Sequence, residues 1–245
     1  MHSNSNFKDL SLQFNYLGDH AIVIAINTSI SSDSIQIVKQ VVAICASIKK
    51  THPWIKEIIP AYQTITLVYD IHSFYQLEQT DPLLFIKNIF SSLMKENFLE
   101  MEAAENEVIK IPVCYDEIFG IDLASMATLK NITIEEIIER HTHEIYNVFC
   151  LGFMPGFAYM GNVNEEIQMA RHLAPRPKVF AGSVGIAGIQ TGIYPTNSPG
   201  GWQIIGRTPI KIFDPHPEKL ALFKAGDQVQ FYSINRGVYD QMLAS

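Results

Sequence analysis

The chain has 245 residues, 47% of them hydrophobic and 18% charged, with a net charge of -7. This is the composition of an ordinary soluble globular protein, with room for one large domain or two small ones, and the acidic balance gives no electrostatic pull toward nucleic acid or an anionic membrane. No apolar run reaches the roughly 20 residues that a membrane-spanning helix needs, and MHSNSNFKDL lacks the basic-then-apolar layout of a signal peptide, so a cytoplasmic protein is expected.

In chain order, FNYLGDHAIVIAI reads as two strands around a Gly18-Asp19 turn. Residues 31–50 carry Ile35, Val38, Val41, Val42, Ala46 and Ile48 near helical spacing, with Pro53 beyond the end. Residues 55–69 form two β-rich runs broken near Ala61. Asp81 and Pro82 open a second helix as N-cap and first turn, with Leu84, Ile86, Ile89, Phe90 and Leu93 expected inward. That order suits a small α+β layer. The acidic stretch from Glu100 to Glu107 marks a boundary, giving domains over residues 1–103 and 104–245.

The second domain opens with a strand over residues 108–115 and two helices, near residues 122–129 and 133–142. Thr133 and Glu136 stand in capping-box spacing. Beyond Tyr146 the pattern becomes short β runs between Gly/Pro turns, which argues for a closed barrel or a sandwich. No period of about 20 to 50 residues repeats, so a solenoid or propeller is not expected. Cys45, Cys114 and Cys150 lie far apart without CxxC spacing and read as reduced core residues.

Function is expected between residues 152 and 209, which hold ten of the fourteen glycines and six of the twelve prolines. All five arginines follow residue 139. The arginine fork grips carboxylates and phosphates, so Arg176 and Arg207 are candidate ligand residues. The run Gly182-Ser-Val-Gly185-Ile-Ala-Gly188 either turns N–H groups toward an anion or forms a barrel corner that needs glycine sterically. It is neither a Walker A loop nor a dinucleotide fingerprint. AGSVG resembles a nucleophile elbow, but GIQTGIYP follows where that motif needs a helix, which argues against Ser183 as a nucleophile. Gln190, Thr191, Tyr194, Thr196 and Ser198 set polar groups on a rigid scaffold suited to orienting a ligand. Trp202 either packs the core or flanks a pocket. His141 and His143 form an H-x-H pair without the further ligands that a metal site requires; at a helix end both are expected as cations that the helix dipole favours.

Three motifs in one order, LGFMPGFAYMG (151–161), AGSVGIAGIQTGIYP (181–195) and SPGGWQIIGRTP (198–209), resemble the family of the 5-oxoprolinase subunit PxpB, also called KipI or allophanate hydrolase subunit 1. LGDHAIVI and IPVCY followed by FGIDL extend the resemblance over nearly the whole chain, with one departure at Asp116-Glu117-Ile118, where family members commonly carry a glycine-rich turn. The resemblance implies a small N-terminal α/β domain and a C-terminal cyclophilin-like β-barrel. It implies a PxpC-like partner and a PxpA-like third component, which together open 5-oxoproline to glutamate at the expense of ATP. Other branches imply inhibition of a sporulation-type histidine kinase, or a part in urea and allophanate processing. An unstrained lactam is a poor electrophile, so ATP and Mg are expected at the level of the complex. With no nucleotide motif or acid/base pair in this sequence, the site is expected to be completed by the PxpC-like subunit. Substrate contacts are expected from Arg176, Ser183, Gly185, Gln190, Thr191, Tyr194, Ser198 and Arg207, with catalytic residues unassigned and no metal ligand in this chain.

Overall fold

The computed structural model describes residues 11–27, 32–78, 80–95, 107–216 and 220–244. The chain divides into two compact units, Met1–Glu105 and Asn106–Ser245. Most of the acidic boundary stretch lies outside the described residues.

The first unit holds β1 (Ser11–Tyr16), β2 (Ala21–Asn27), α1 (Ser32–Thr51), β3 (Ile55–Pro60), β4 (Thr64–Tyr69), α2 (Ile71–Leu77) and α3 (Pro82–Lys95). Its sheet is antiparallel in the order β1-β2-β4-β3. Alternation puts Ile22, Ile24 and Ile26 on one face opposite Ile65 and Leu67, and that face closes over Trp54, Phe74 and Phe90. Two details differ from the sequence reading. The helix α2 was not expected; it starts because Asp70 Oδ1 accepts from the His72 and Ser73 amides at 3.0 and 3.1 Å, which offsets the cost of nucleating so short a helix. Leu84, expected inward, is exposed, while Ile86 and Phe90 are buried. The side chains of Ile35, Val38 and Leu93 lie outside the described residues.

The second unit contains β5 (Ile109–Cys114), α4 (Leu123–Lys130), α5 (Ile134–His143), β6 (Ile145–Leu151), β7 (Ala158–Gly161), β8 (Arg176–Val179), β9 (Ser183–Ala187), β10 (Gln190–Ile193), β11 (Ser198–Gly200), β12 (Gln203–Arg207), β13 (Gln228–Ile234) and α6 (Arg236–Ala244). Seven strands close into a barrel in the order β10-β7-β6-β13-β5-β12-β9, while β8 and β11 form a separate two-stranded ribbon. Only the β5–β13 pair of the barrel is parallel. The capping box at α5 forms as its spacing predicts: Glu136 N donates to Thr133 Oγ1 and Thr133 N to Glu136 Oε2.

β9 is buried along its whole length because both faces are covered. Val184 and Ile186 point into the barrel core. On the other side, Ala187 joins a second cluster with Phe157, Val179, Tyr194, Trp202 and Ile204. A strand covered on both faces leaves little room for side chains where a large aromatic crosses it, and this explains the glycines. A Cβ on Gly185 would lie 3.1 Å from Trp202 Cβ, and one on Gly192 would lie 3.1 Å from Phe157 Cζ and 2.8 Å from the Ala158 carbonyl. Of the two readings of Trp202, packing is the observed one.

Candidate functional site

Asp122 organises the charge at one end of β12. It occupies the N-cap of α4, where a carboxylate ordinarily accepts a helix N–H, yet it makes no capping bond. Its Oδ2 accepts from the Ile204 amide at 2.6 Å. Its Oδ1 takes a hydrogen bond from Arg176 Nη2 and lies 3.4 Å from His172 Nε2. The Asp122 side chain is 5% exposed, and a carboxylate so buried persists only with a counter-charge and hydrogen bonds. Arg176 is therefore occupied inside the protein. Its Nη1 also reaches the Trp202 carbonyl at 3.4 Å.

Arg207, the last residue of β12, lies three positions beyond Ile204, about 10 Å along the strand. Its Nε donates to the Ala181 carbonyl at 2.7 Å. Its guanidinium stacks over the rings of Phe119 and Phe180, at 5.8 and 5.5 Å from their centroids, and Arg236 and Lys178 approach the same two rings. No carboxylate lies within ion-pair distance of Arg207 among the described residues. Half-buried and held between aromatic faces, its fork can receive an external anion. The segment 116–122 runs along β12 and supplies both partners, with Phe119 at Arg207 and Asp122 at Ile204.

The other predicted residues scatter over three settings. Ser183 and Gly185 belong to β9, so the glycine-rich run is a barrel strand and not a phosphate loop. Its backbone pairs with β10 and β12, which leaves no array of N–H groups to cradle an anion. Glycine freedom is used only at the ends of the run. Gly182 sits at φ +82°, and Gly188 at φ +59° opens the two-residue hairpin into β10. Thr191 points into the barrel core, fully buried. Tyr194 is buried against Phe157 and Trp202, and Gly200 packs against its ring. Gln190 begins β10 opposite Gly161. Ser198 begins β11, and its buried Oγ has no hydrogen-bond partner. Two surface concavities of this unit, one edged by Glu107, Lys224 and Asp227 and the other by Lys110, Gln230 and Tyr232, contain none of the predicted residues.

His141 corrects the reading of the H-x-H pair. It is fully buried, whereas His143 is exposed. His141 links a chain of hydrogen bonds: Tyr115 Oη lies 2.7 Å from Nδ1, Nε2 lies 3.0 Å from Thr191 Oγ1, and Thr191 Oγ1 donates to the Gly185 carbonyl at 3.0 Å. Because Thr191 spends its proton on Gly185, His141 must carry its proton on Nε2 and accept from Tyr115 at Nδ1. Every member is satisfied, as a polar network inside a core requires. Burial pushes the His141 pKa down to about 3, so it stays neutral rather than serving the helix dipole as a cation. Phe231 stacks on its ring at 4.6 Å. The three cysteines are free, and burial pushes their thiols up, that of Cys45 to about 12, which suits inert core residues.

Two functional candidates escaped the sequence reading. His172 is one, because Asp122 lies fifty positions away and no local spacing links them. Phe153 is the other: it holds φ +70°, a conformation that non-glycine residues rarely adopt, and its exposed ring stands edge-on to Phe157 and Tyr194.

Comparison with known proteins gives a consistent pattern. The profile of the carboxyltransferase domain, subdomain C and D, matches residues 12–223. The B subunit of 5-oxoprolinase from Bacillus subtilis (strain 168) is 37% identical over 230 residues, spanning 93% of this chain and 95% of that protein. The crystal structure of TTHA0988 superposes with a TM-score of 0.71 at 31% identity over 88% of this chain, which corresponds to only 40% of that longer chain. The urea carboxylase of Kluyveromyces lactis shares the fold over 95% of this chain, with a TM-score of 0.67 at 16% identity and 22% of its own length covered.

Proposed function

The chain belongs to the carboxyltransferase-domain family of subdomains C and D, and on that premise we propose that it is the B subunit of an ATP-dependent 5-oxoprolinase, a PxpB-like chain that opens 5-oxoproline to glutamate together with PxpC-like and PxpA-like subunits. The observation that carries this reading is the end-to-end likeness to the Bacillus subtilis protein, 37% identical over nearly the whole of both chains. In this reading the barrel is the cyclophilin-like domain of the family, and the complex works in the cytoplasm.

The chemistry of this chain fits a contributing subunit. Arg207 presents a cationic fork between Phe119 and Phe180 without a carboxylate partner among the described residues, and it is the residue proposed to hold the carboxylate of 5-oxoproline. Ser198, with its unpartnered hydroxyl, is the second proposed contact. The residues present do not fit a nucleotide: the glycine-rich run is a paired, buried strand, so ATP and Mg are assigned to the complex. Exposed Phe180 and Ile118, the latter next to Phe119 in the chain, give a partner subunit apolar surface to cover beside Arg207. A kinase-binding module needs such surface equally, so these residues do not favour the kinase-inhibitor alternative. The urea and allophanate alternative has a likeness of fold behind it at 16% identity and a 42% identical stretch of 66 residues in the Saccharomyces cerevisiae urea amidolyase, which spans only 25% of this chain. The test is co-expression with the two partner subunits and assay of ATP-dependent glutamate release from 5-oxoproline, with urea and allophanate as competing substrates.

A further inference from the structure

We infer that Asp122, His172 and Arg176 form a proton-transfer site, in which His172 is the base that acts on substrate and Asp122 and Arg176 position it. The inference rests on the function proposed above only for the identity of the substrate.

Asp122 is placed where its carboxylate would cap α4, and that bond is not made. A capping carboxylate stabilises its helix, so turning it away forgoes stability for another arrangement. The Ile204 amide fixes Oδ2 at 2.6 Å and Arg176 fixes Oδ1. Oδ1 keeps a second lone-pair direction, and His172 Nε2 lies 3.4 Å from it. Nε2 is buried and has no well-aligned acceptor. That contact is long for a hydrogen bond, as expected when the oxygen already serves an arginine; catalytic hydrogen bonds commonly tighten only once substrate is bound.

The backbone of His172 is held as well. Its N–H donates to the Gly201 carbonyl at 2.7 Å, which ties the residue to the SPGG turn. The His172 side chain is 31% exposed. With Nε2 turned inward, the Nδ1 edge is the one that substrate can reach. Asp122 Oδ1, 3.4 Å away, is the acceptor nearest to hand for Nε2; a carboxylate that closes on one imidazole nitrogen holds the proton there and leaves a lone pair on the other. Arg176 already balances the charge of Asp122, so His172 is not required as its counter-ion and can take up and return a proton. Arg171, whose guanidinium lies 5.8 Å from the Trp202 ring centroid, is a further cation on the same segment.

With the ring carbonyl activated by the complex at the expense of ATP, the protons of the opening step balance within this site. As the water oxygen bonds to the ring carbonyl carbon, Nδ1 of His172 takes one water proton. As the carbon–nitrogen bond breaks, that proton passes to the departing nitrogen, so that lactam plus water gives the open amino acid and His172 returns to its starting form.

Two measurements decide the matter. In the reconstituted complex turning over 5-oxoproline with ATP, His172→Ala is expected to lower kcat by about 100-fold or more with little change in KM, the scale of a lost general base. Added imidazole should restore part of that rate, whereas His172→Gln, which fills the space, should not be rescued. An unchanged kcat, or a loss that imidazole leaves untouched, overturns the inference. The second measurement needs no activity: the rate at which diethyl pyrocarbonate modifies His172 in the isolated chain, read by mass spectrometry. Asp122→Asn is expected to slow modification of His172 several-fold and leave the exposed His216 unaffected; equal rates at His172 in both proteins overturn the inference. A wild-type complex inactive on 5-oxoproline would refute the proposed substrate, and the labelling result would then decide this inference alone.

Discussion

Replacing Gly185 by alanine separates shape from chemistry in the glycine-rich strand. The backbone there is not in the left-handed region, so alanine incurs no conformational strain. The cost is steric: the new methyl would lie 3.1 Å from Trp202 Cβ, and 3.3 Å from both the Gln203 carbonyl and Ile204 Cδ1. All three are tighter than an ordinary contact, and Trp202 is itself packed against Phe157, Tyr159 and Tyr194, so it has little freedom to retreat. Overpacking of this kind costs about 1 to 3 kcal/mol. Less lost chain entropy returns about 0.5 kcal/mol, so a net loss of about 0.5 to 2.5 kcal/mol is expected. For a unit of this size that lowers the thermal midpoint by roughly 2 to 10 °C. Gly182→Ala should be worse, since it combines φ +82° with a methyl 2.5 Å from the Thr208 carbonyl. The assay is calorimetry beside activity per folded molecule in the reconstituted complex. Lower stability with near-normal specific activity supports the strand account. A folded Gly185→Ala protein with an unmoved midpoint and abolished activity would refute it and restore the anion-cradle reading.

The two arginines should respond differently. Arg176→Ala strands the Asp122 carboxylate and is expected to cost about 3 kcal/mol, the low end of the range for breaking a buried pair because Arg176 is part-exposed. Arg207→Ala should leave stability within about 1 kcal/mol of wild type while raising the KM for 5-oxoproline; the reverse order in thermal melts and kinetics would contradict the assignment. His141 predicts a pH dependence. Its pKa falls from 6.5 unfolded to about 3 folded, so the unfolded chain binds the extra proton, and stability is lost as pH falls below about 6.5 and continues to fall toward 3. The slope approaches about 1.4 kcal/mol per pH unit. Denaturation between pH 5 and 6.5, above the range of most carboxylates, should show this slope in the wild type and a flatter one in His141→Gln; identical slopes would exclude His141 as the cause.

Local signals were legible in the sequence, and what depends on distant partners was not. Thr133 with Glu136, and Asp81 with Pro82, act within one helical turn, and both start helices as their spacing predicts. Gly/Pro turns between short apolar runs predict a closed barrel or a sandwich, and a closed barrel is present. The glycine run misled in part because periodic glycines look alike whether they make room for a ligand or for an aromatic ring. Only the crossing of Trp202 over β9 distinguishes the two. Thr191 and Tyr194 looked like ligand groups because both are polar, yet Thr191 bonds to His141 and Gly185, and Tyr194 lies under Gly200. Asp122 could be read as a helix start, but its diversion to Ile204, Arg176 and His172 joins residues up to eighty-two positions apart. Arg207 carried a usable signal, as an arginine at the close of the SPGGWQIIGRTP motif.

The most direct test of the account is the release of glutamate from 5-oxoproline by this chain alone, by its partners without it, and by the PxpB-, PxpC- and PxpA-like subunits together, each with and without ATP. ATP-dependent release only from the complete set is the predicted result. Sustained turnover by the isolated chain, or no turnover by a complete and folded set, would contradict it.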